Sequence, residues 1–118
     1  GETLTEIFIA PWTDKSLALF TPSAFESLAE RFKSSSKTDV RNYMRLFYAR
    51  ADRGDLDKQG RVRIPDRLRE FAELDQKVVL LGVSDHLEVW DATRWEEYVA
   101  KLNPQFDEIA EQAYEIGS

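Results

Sequence analysis

Three cations and a turn glycine crowd the stretch Leu56–Pro65, LDKQGRVRIP, in a chain whose formal net charge is -6. Period-2 alternation after the turn puts Val62 and Ile64 on one face of an extended segment and Arg61 and Arg63 on the other. Arginine forks onto guanine O6 and N7, or onto a phosphate, with a geometry that lysine cannot match. A two-stranded ribbon fits the DNA major groove, so a hairpin with Lys58, Arg61 and Arg63 outward has the chemistry of a DNA reader. The plainer reading is a solvated hairpin whose arginines pair with Asp52, Asp55 and Asp57. Charge alone favours the plainer one, since short basic clusters on turns are common.

Other chemistry is sparse. His86 is the sole histidine and sits beside Asp85 and near Glu88. One histidine with two carboxylates suggests a metal or a general base, but a local, turn-like cluster reads first as an exposed histidine. An enzyme acting through it is a third and remote class. No metalloprotease, phosphate-loop, dinucleotide or nucleophile motif occurs. No cofactor and no metal are expected. Trp90, Trp95 and Tyr98 resemble a base-stacking platform; their spacing on a strand and a helix favours core packing. Trp12 follows Pro11 in a turn, where burial is hard and contact with a neighbouring subunit is the functional alternative.

The elements that must hold these residues fit one domain. The chain has 118 residues, 42% hydrophobic, enough for one core. The absence of cysteine excludes disulfides and thiolate chemistry and suits a cytoplasmic protein, and no apolar run is long enough to cross a bilayer. Glu6–Ala10 and Leu17–Phe20 read as strands around a turn at Pro11–Lys15. Thr21-Pro22 starts a helix carrying Phe25, Leu28 and Phe32. Ser34–Lys37 is a polar linker, and Ser36 or Thr38 caps a helix with Val40, Tyr43, Met44 and Phe47 on one face. Ala49–Leu56 is the expected partner strand of the arginine segment, weakened by Gly54 and its charges. Asp57 to Gly60 reads as a tight turn, and Pro65 ends the segment ahead of a short helix with Leu68, Phe71 and Ala72 inward. Lys77–Leu81 and Leu87–Trp90 are strands, and Asp91 caps a helix with Trp95, Tyr98 and Leu102. Asn103 caps a last helix from Pro104, acidic on one side and apolar at Phe106, Ile109, Ala110 and Ala113. That apolar side packs on its own domain or on a neighbouring subunit. Arg41 and Arg45 line a phosphate backbone or pair with acids of a neighbour; pairing is the expectation.

The order contains a repeat. Leu17 falls on Leu87, Leu19 on Val89, Phe20 on Trp90, Phe25 on Trp95 and Leu28 on Tyr98, without a gap. A strand–turn–strand–helix unit is used twice. LDKQGRVRIPDRLREFAEL precedes the second copy, and its counterpart would fall before Gly1.

These residues carry a resemblance. LDKQGRVRIPDRLREFAEL, followed by VVLLGVSDHLEVWDATRWEEY, resembles the second repeat of the bacterial MraZ family, with its D-x-x-x-R signature at Asp57–Arg61. The resemblance covers nearly the whole chain. It implies an α+β fold, a double-split β-barrel of AbrB/MraZ type built from two pseudo-repeats with peripheral helices. The implied divisions are a partial first repeat at 1–33, a connecting helix at 34–48, the second repeat at 49–103 and a C-terminal helix at 104–118, in one compact domain. It further implies a cytoplasmic, nucleoid-associated regulator of the division and cell-wall gene cluster. That regulator forms a homo-oligomeric ring and binds double-stranded DNA at G-rich direct repeats. Arg61 is then the base-edge contact, Lys58 and Arg63 are phosphate or base contacts, and Asp57 and Gly60 shape the loop. The family carries two D-x-x-x-R segments and this sequence one, so the chain is expected to begin inside its first repeat through trimming. The alternative is a protein-interaction module of the same fold with little or no DNA binding.

Overall fold

A computed structural model describes residues 4–33 and 35–117. Ser34, in the expected linker, and the extreme terminal residues lie outside that description. Five strands form one antiparallel sheet in the order β3-β1-β2-β5-β4: β1 Glu6–Pro11, β2 Leu17–Phe20, β3 Asp52–Asp55, β4 Val78–Val83 and β5 His86–Asp91. The helices are α1 Pro22–Lys33, α2 Thr38–Arg50, α3 Asp66–Phe71, α4 Ala92–Leu102 and α5 Phe106–Gly117.

Alternation along the strands divides the core between the two faces of the sheet. Ile7, Ile9, Leu17 and Val89 are buried with Leu68 and Ala72 from α3 and its end. Ala10, Ala18 and Phe20 are buried with Leu28 of α1 and Phe47 of α2. Phe8 and Phe25 stack at 4.4 Å between centroids, joining sheet and helix.

Two of the expected caps form. Thr21 Oγ1 accepts from the Ala24 N–H at 3.2 Å, and the Asp91 carboxylate accepts from the Arg94 N–H at 3.3 Å. Two do not. Lys37 occupies the cap position of α2 with no side-chain bond, so neither Ser36 nor Thr38 caps it. Asn103 is helical and continues α4 into a single 3-10 turn, Asn103–Gln105, so α5 begins at Phe106 rather than Pro104. The connecting helix also runs past residue 48 to Arg50, because nothing in FYAR breaks it.

The strand–turn–strand–helix unit occurs twice, as β1-β2-α1 and β4-β5-α4. Where the copies meet, Leu17 pairs with Val89, Ala18 with Glu88 and Leu19 with Leu87. Exchanging repeat partners maps this pairing onto itself, so a local two-fold passes through the Ala18–Glu88 pair. The hairpin registers differ by one residue. Pro11 pairs with Leu17 across five residues, whereas Gly82 pairs with Leu87 across four. The longer first turn is absorbed by a 3-10 turn, Thr13–Lys15, with Asp14 and Lys15 both at left-handed φ of 58° and 56°.

The symmetry is incomplete. β3 lies just before the second copy in sequence yet pairs with β1 of the first, Gly54 facing Ile7. Its mate beside β4 is missing among the described residues. The consequence appears in exposure. Ile7 and Ile9 are 7% and 0% exposed, while their counterparts Val78 and Leu80 are 44% and 58% exposed. The fold is the expected α+β arrangement, but the barrel is not closed: the sheet remains open along β4.

Candidate nucleic-acid interface

The loop after β3 is organised by one carboxylate. Asp57 Oδ1 accepts from the backbone N–H groups of Gln59, at 2.9 Å, and Arg61, at 2.8 Å. Oδ2 accepts from Arg61 Nε at 2.9 Å. The Gly60 N–H donates to the Asp57 carbonyl at 3.0 Å, and the Asp57 N–H donates to the Arg61 carbonyl at 2.9 Å, closing the turn. Gly60 stands at φ 77°, where a Cβ would be strained although the space beside it is empty. The Arg61 N–H is the main cause that lowers the Asp57 pKa below its ordinary value, with the Arg61 side chain and the Gln59 N–H acting in the same direction. The loop therefore holds its shape with Asp57 ionised.

The same carboxylate aims Arg61. Its Nε is held by Asp57, its Nη2 donates to Gln59 Oε1 at 3.3 Å, and the side chain is 76% exposed. Lys58 and Arg63 are also exposed, and neither makes an ion pair among the described residues. Val62 and Ile64 turn the other way and pack on the Ile7–Ile9 side of the core. The alternation along the segment is thus present, but the expected ribbon is not. Residues 61–65 form no strand, Ala49 and Arg50 end α2, and β3 pairs with β1. The local reason is at Gly54, where Val62 lies so close that a Cβ would stand 2.5 Å from Val62 Cγ2. The segment crosses over β3 by side-chain packing instead of pairing with it along a ladder.

Of the carboxylates set against these arginines in the plainer reading, Asp57 takes Arg61. Asp52 and Asp55 serve other cations. Arg67 bridges the Arg50 carbonyl, at 2.7 Å, and Asp52, at 3.3 Å. Arg53 reaches Glu6 at 3.2 Å and Asp55 at 3.5 Å. Arg67 therefore clamps the junction from α2 into β3 that delivers the loop, a role with no signal in the sequence beyond its charge.

His86 is not the exposed turn residue of the expectation. Its side chain is 8% exposed and is tilted against Trp12 and Phe20, at centroid distances of 4.8 and 5.2 Å. Nδ1 lies 3.0 Å from Asp85 Oδ1, and Nε2 is buried without a hydrogen bond among the described residues, 3.7 Å from Glu88 Oε2. Trp12, for which burial is hard to expect from the sequence, is half-buried by this contact and by the edges of Phe20 and Phe47. Among the described residues no cluster of three or more His, Cys, Asp or Glu could hold a metal. Trp90, Trp95 and Tyr98 pack on one another rather than standing free for bases, with Trp90 3% exposed. Arg94, unremarked in the sequence, joins the two copies: it donates to the carbonyls of Asp14 and Lys15 at 3.0 and 2.9 Å and pairs with Glu73 at 3.4 Å.

Comparison with known proteins bears on the same segment. The family model for MraZ protein matches residues 47–116, from the end of α2 through the loop to α5. A protein of Nocardioides sp. named transcriptional regulator MraZ is 43% identical over 98 residues, 81% of this chain and 68% of that protein. This chain belongs to the MraZ family. Two further MraZ proteins of the same name agree. That of Leuconostoc mesenteroides is 38% identical over 108 residues, covering 90% of this chain and 76% of its own length. That of Moorella thermoacetica is 35% identical over 101 residues, covering 84% and 71%. All three MraZ relatives are named as regulators, not as enzymes.

Proposed function

We propose that this MraZ chain regulates transcription by binding double-stranded DNA through the Asp57–Arg61 loop. The observation that carries the reading is the loop itself. One carboxylate fixes its backbone and holds an exposed arginine by Nε, and Nη1 makes no hydrogen bond among the described residues. Arg61 would read a base edge, guanine being the base its fork fits. Lys58 and Arg63, exposed and without carboxylate partners among the described residues, would neutralise phosphates or add base contacts. The names of the relatives support the regulatory role. The family resemblance supplies the finer target: G-rich direct repeats in the promoter of the division and cell-wall gene cluster, bound on the nucleoid in the cytoplasm.

A single loop neutralises few phosphates, so affinity per subunit is weak. Several loops on a homo-oligomeric ring would engage spaced repeats together, and the second contact becomes effectively intramolecular. The net charge of -6 is compatible with this because the acid is segregated, four of the carboxylates lying beyond Lys101.

The test is fluorescence anisotropy of a duplex with G-rich direct repeats against a scrambled duplex, at two salt concentrations, for the parent and Arg61→Ala. The expected result is sequence preference in the parent and a loss of about 5- to 150-fold in the variant, corresponding to ~1–3 kcal/mol for a bidentate base contact. Equal affinity of parent and variant, or no preference over the scrambled duplex, would refute this role for the loop and favour the interaction-module alternative.

A further inference from the structure

Gln59 stands at the centre of the Asp57–Arg61 loop, between the carboxylate and the arginine. Its backbone is fixed, because its N–H donates to Asp57 Oδ1 at 2.9 Å. Its side chain is exposed and makes one hydrogen bond: Oε1 accepts from Arg61 Nη2 at 3.3 Å. A guanidinium carries only donors, so the oxygen of the amide, not its nitrogen, must face Arg61. The orientation of the amide therefore follows from the chemistry of its neighbour. It leaves the N–H donors of Nε2 without a partner among the described residues.

That changes what Gln59 can recognise. A free glutamine pairs with adenine by two bonds, donating to N7 and accepting from the N6 amino group. Here the acceptor is committed to Arg61, so the adenine amino group would find no partner. What remains is an edge of donors. In the major groove only guanine offers two acceptors, N7 and O6, on one base, whereas cytosine presents a donor that would face the amide donors unpaired. Arg61 has the same character. Of its N–H donors one goes to Asp57 and one to Gln59, and the rest are free among the described residues. The two head groups touch at 3.3 Å, close to the ~3.4 Å between successive bases on one strand. They form a row of donors long enough for two neighbouring bases, anchored to Asp57 through Arg61 Nε.

We propose that Gln59 is a second base-reading residue of the loop, donating through Nε2 to O6 or N7 of a guanine adjacent to the one read by Arg61. The proposal rests on the DNA-binding reading above and deepens it: the loop reads a step of two guanines rather than a single base. Gln59 thus positions Arg61 through Oε1 and determines specificity at the neighbouring base through Nε2.

The experiment is competition read by fluorescence anisotropy. A duplex of G-rich direct repeats carries the label, and unlabelled competitors replace each guanine of the repeat in turn by adenine, cytosine or thymine. The full chain is compared with Gln59→Glu, Gln59→Met and Arg61→Ala; circular dichroism confirms that each is folded. Glutamate keeps an acceptor for Arg61 and exchanges the outward donors for a second acceptor. Methionine keeps the length and loses both. For the parent, cytosine at either of two neighbouring guanines should weaken competition by about 5- to 150-fold, the range of one good base contact. In Gln59→Glu the preference at one of those two positions should turn from guanine to cytosine, whose amino group glutamate accepts, while the other guanine stays preferred. In Gln59→Met that same position should lose its preference. A uniform loss of affinity in both variants with base preferences unchanged would assign Gln59 to the support of Arg61 alone and overturn the proposal. So would variants indistinguishable from the parent. A parent without preference over a scrambled duplex, or one matched by Arg61→Ala, would overturn the DNA-binding reading and this proposal with it.

Discussion

Gly54 is the point where the fold touches the segment that follows the proposed recognition loop. An alanine there would place its Cβ 2.5 Å from Val62 Cγ2 and 3.3 Å from Ile9 Cδ1. The first distance is not tolerable, and Val62 is a short branched side chain with little room to swing. Ile9 is fully buried and cannot retreat. Overpacking of this kind costs about 1–3 kcal/mol. With an unfolding entropy of about 2.1 cal/mol/K per residue over 118 residues, that is a fall in Tm of roughly 4–12 °C. Gly54→Ala, read by thermal unfolding at fixed concentration, should show it. Val62→Ala removes the clashing methyl groups, so in Gly54→Ala/Val62→Ala the two effects should be strongly non-additive. The coupling should approach the whole overpacking cost. The same clash pushes the backbone at Val62, between Arg61 and Arg63, so DNA affinity should fall in the single variant and partly return in the double. A Gly54→Ala chain within about 0.5 kcal/mol of the parent, the range of a neutral surface change, would refute the packing account. So would additive behaviour in the cycle.

Further outcomes follow from other contacts. Ile9→Ala should cost about 2–5 kcal/mol in thermal unfolding, whereas Leu80→Ala at its 58% exposed counterpart should cost well under 1 kcal/mol; equal costs would mean that the β4 face is covered in this chain. Arg94→Ala removes charged hydrogen bonds to two carbonyls of a left-handed turn and should cost about 1.5–3 kcal/mol, with Arg94→Lys restoring less than half because lysine lacks the fork. Lys58→Ala should lower the slope of log affinity against log salt by about 0.9 and leave sequence preference intact. For Asp57 the sign is that of a depressed carboxylate: its loop bonds are fully present above the unfolded value near 3.8 and are lost as pH falls through the lower folded value. The Gln59 and Arg61 amide resonances should therefore hold steady down to about pH 4, move only below it, and lose that step in Asp57→Asn.

Much of the architecture is legible in the sequence because local and global signals agree. Leu17-Ala-Leu-Phe and Leu87-Glu-Val-Trp are short apolar-rich runs bounded by turn residues, and Thr21 and Asp91 mark helix starts with the bonds their side chains make. The turn over Asp57–Gly60 is legible for the same reason: a short acid and a glycine have few other conformations that suit both. What the sequence conceals is long-range. Alternation at Val62 and Ile64 shows which side faces the core but not whether a ladder forms, and the close approach to Gly54 decides that. His86 looks exposed because its neighbours Ser84 and Asp85 are turn residues. Trp12 and Phe20, more than sixty residues earlier, take its ring into the interior. Arg67 and Arg94 look like ordinary surface charge, since the carbonyls they clamp leave no mark on composition.

In the proposed recognition of DNA, the Asp57–Arg61 pair also sets the energetics. A free arginine side chain carries about 2 kcal/mol of rotamer entropy and would lose part of it on binding. Here the head is already held by Nε and by Gln59 through Nη2, so part of that ordering is complete before DNA arrives. The same bonds limit what remains for DNA, because Nε is occupied and Nη2 is shared. Recognition of guanine would then proceed from the Nη1–Nη2 edge with the Asp57 contact intact, or require its rupture. The two routes differ in Asp57→Asn. If the pair persists in the complex, loss of its charge should weaken specific binding, since the loop loosens and Arg61 is no longer aimed. If the pair must break, the variant should bind as well as the parent or better. The double cycle of Asp57→Asn with Arg61→Ala, read on G-rich and scrambled duplexes, separates them. The geometry favours the first route, in which the acid at the start of the loop and the arginine at its end act on DNA as one unit.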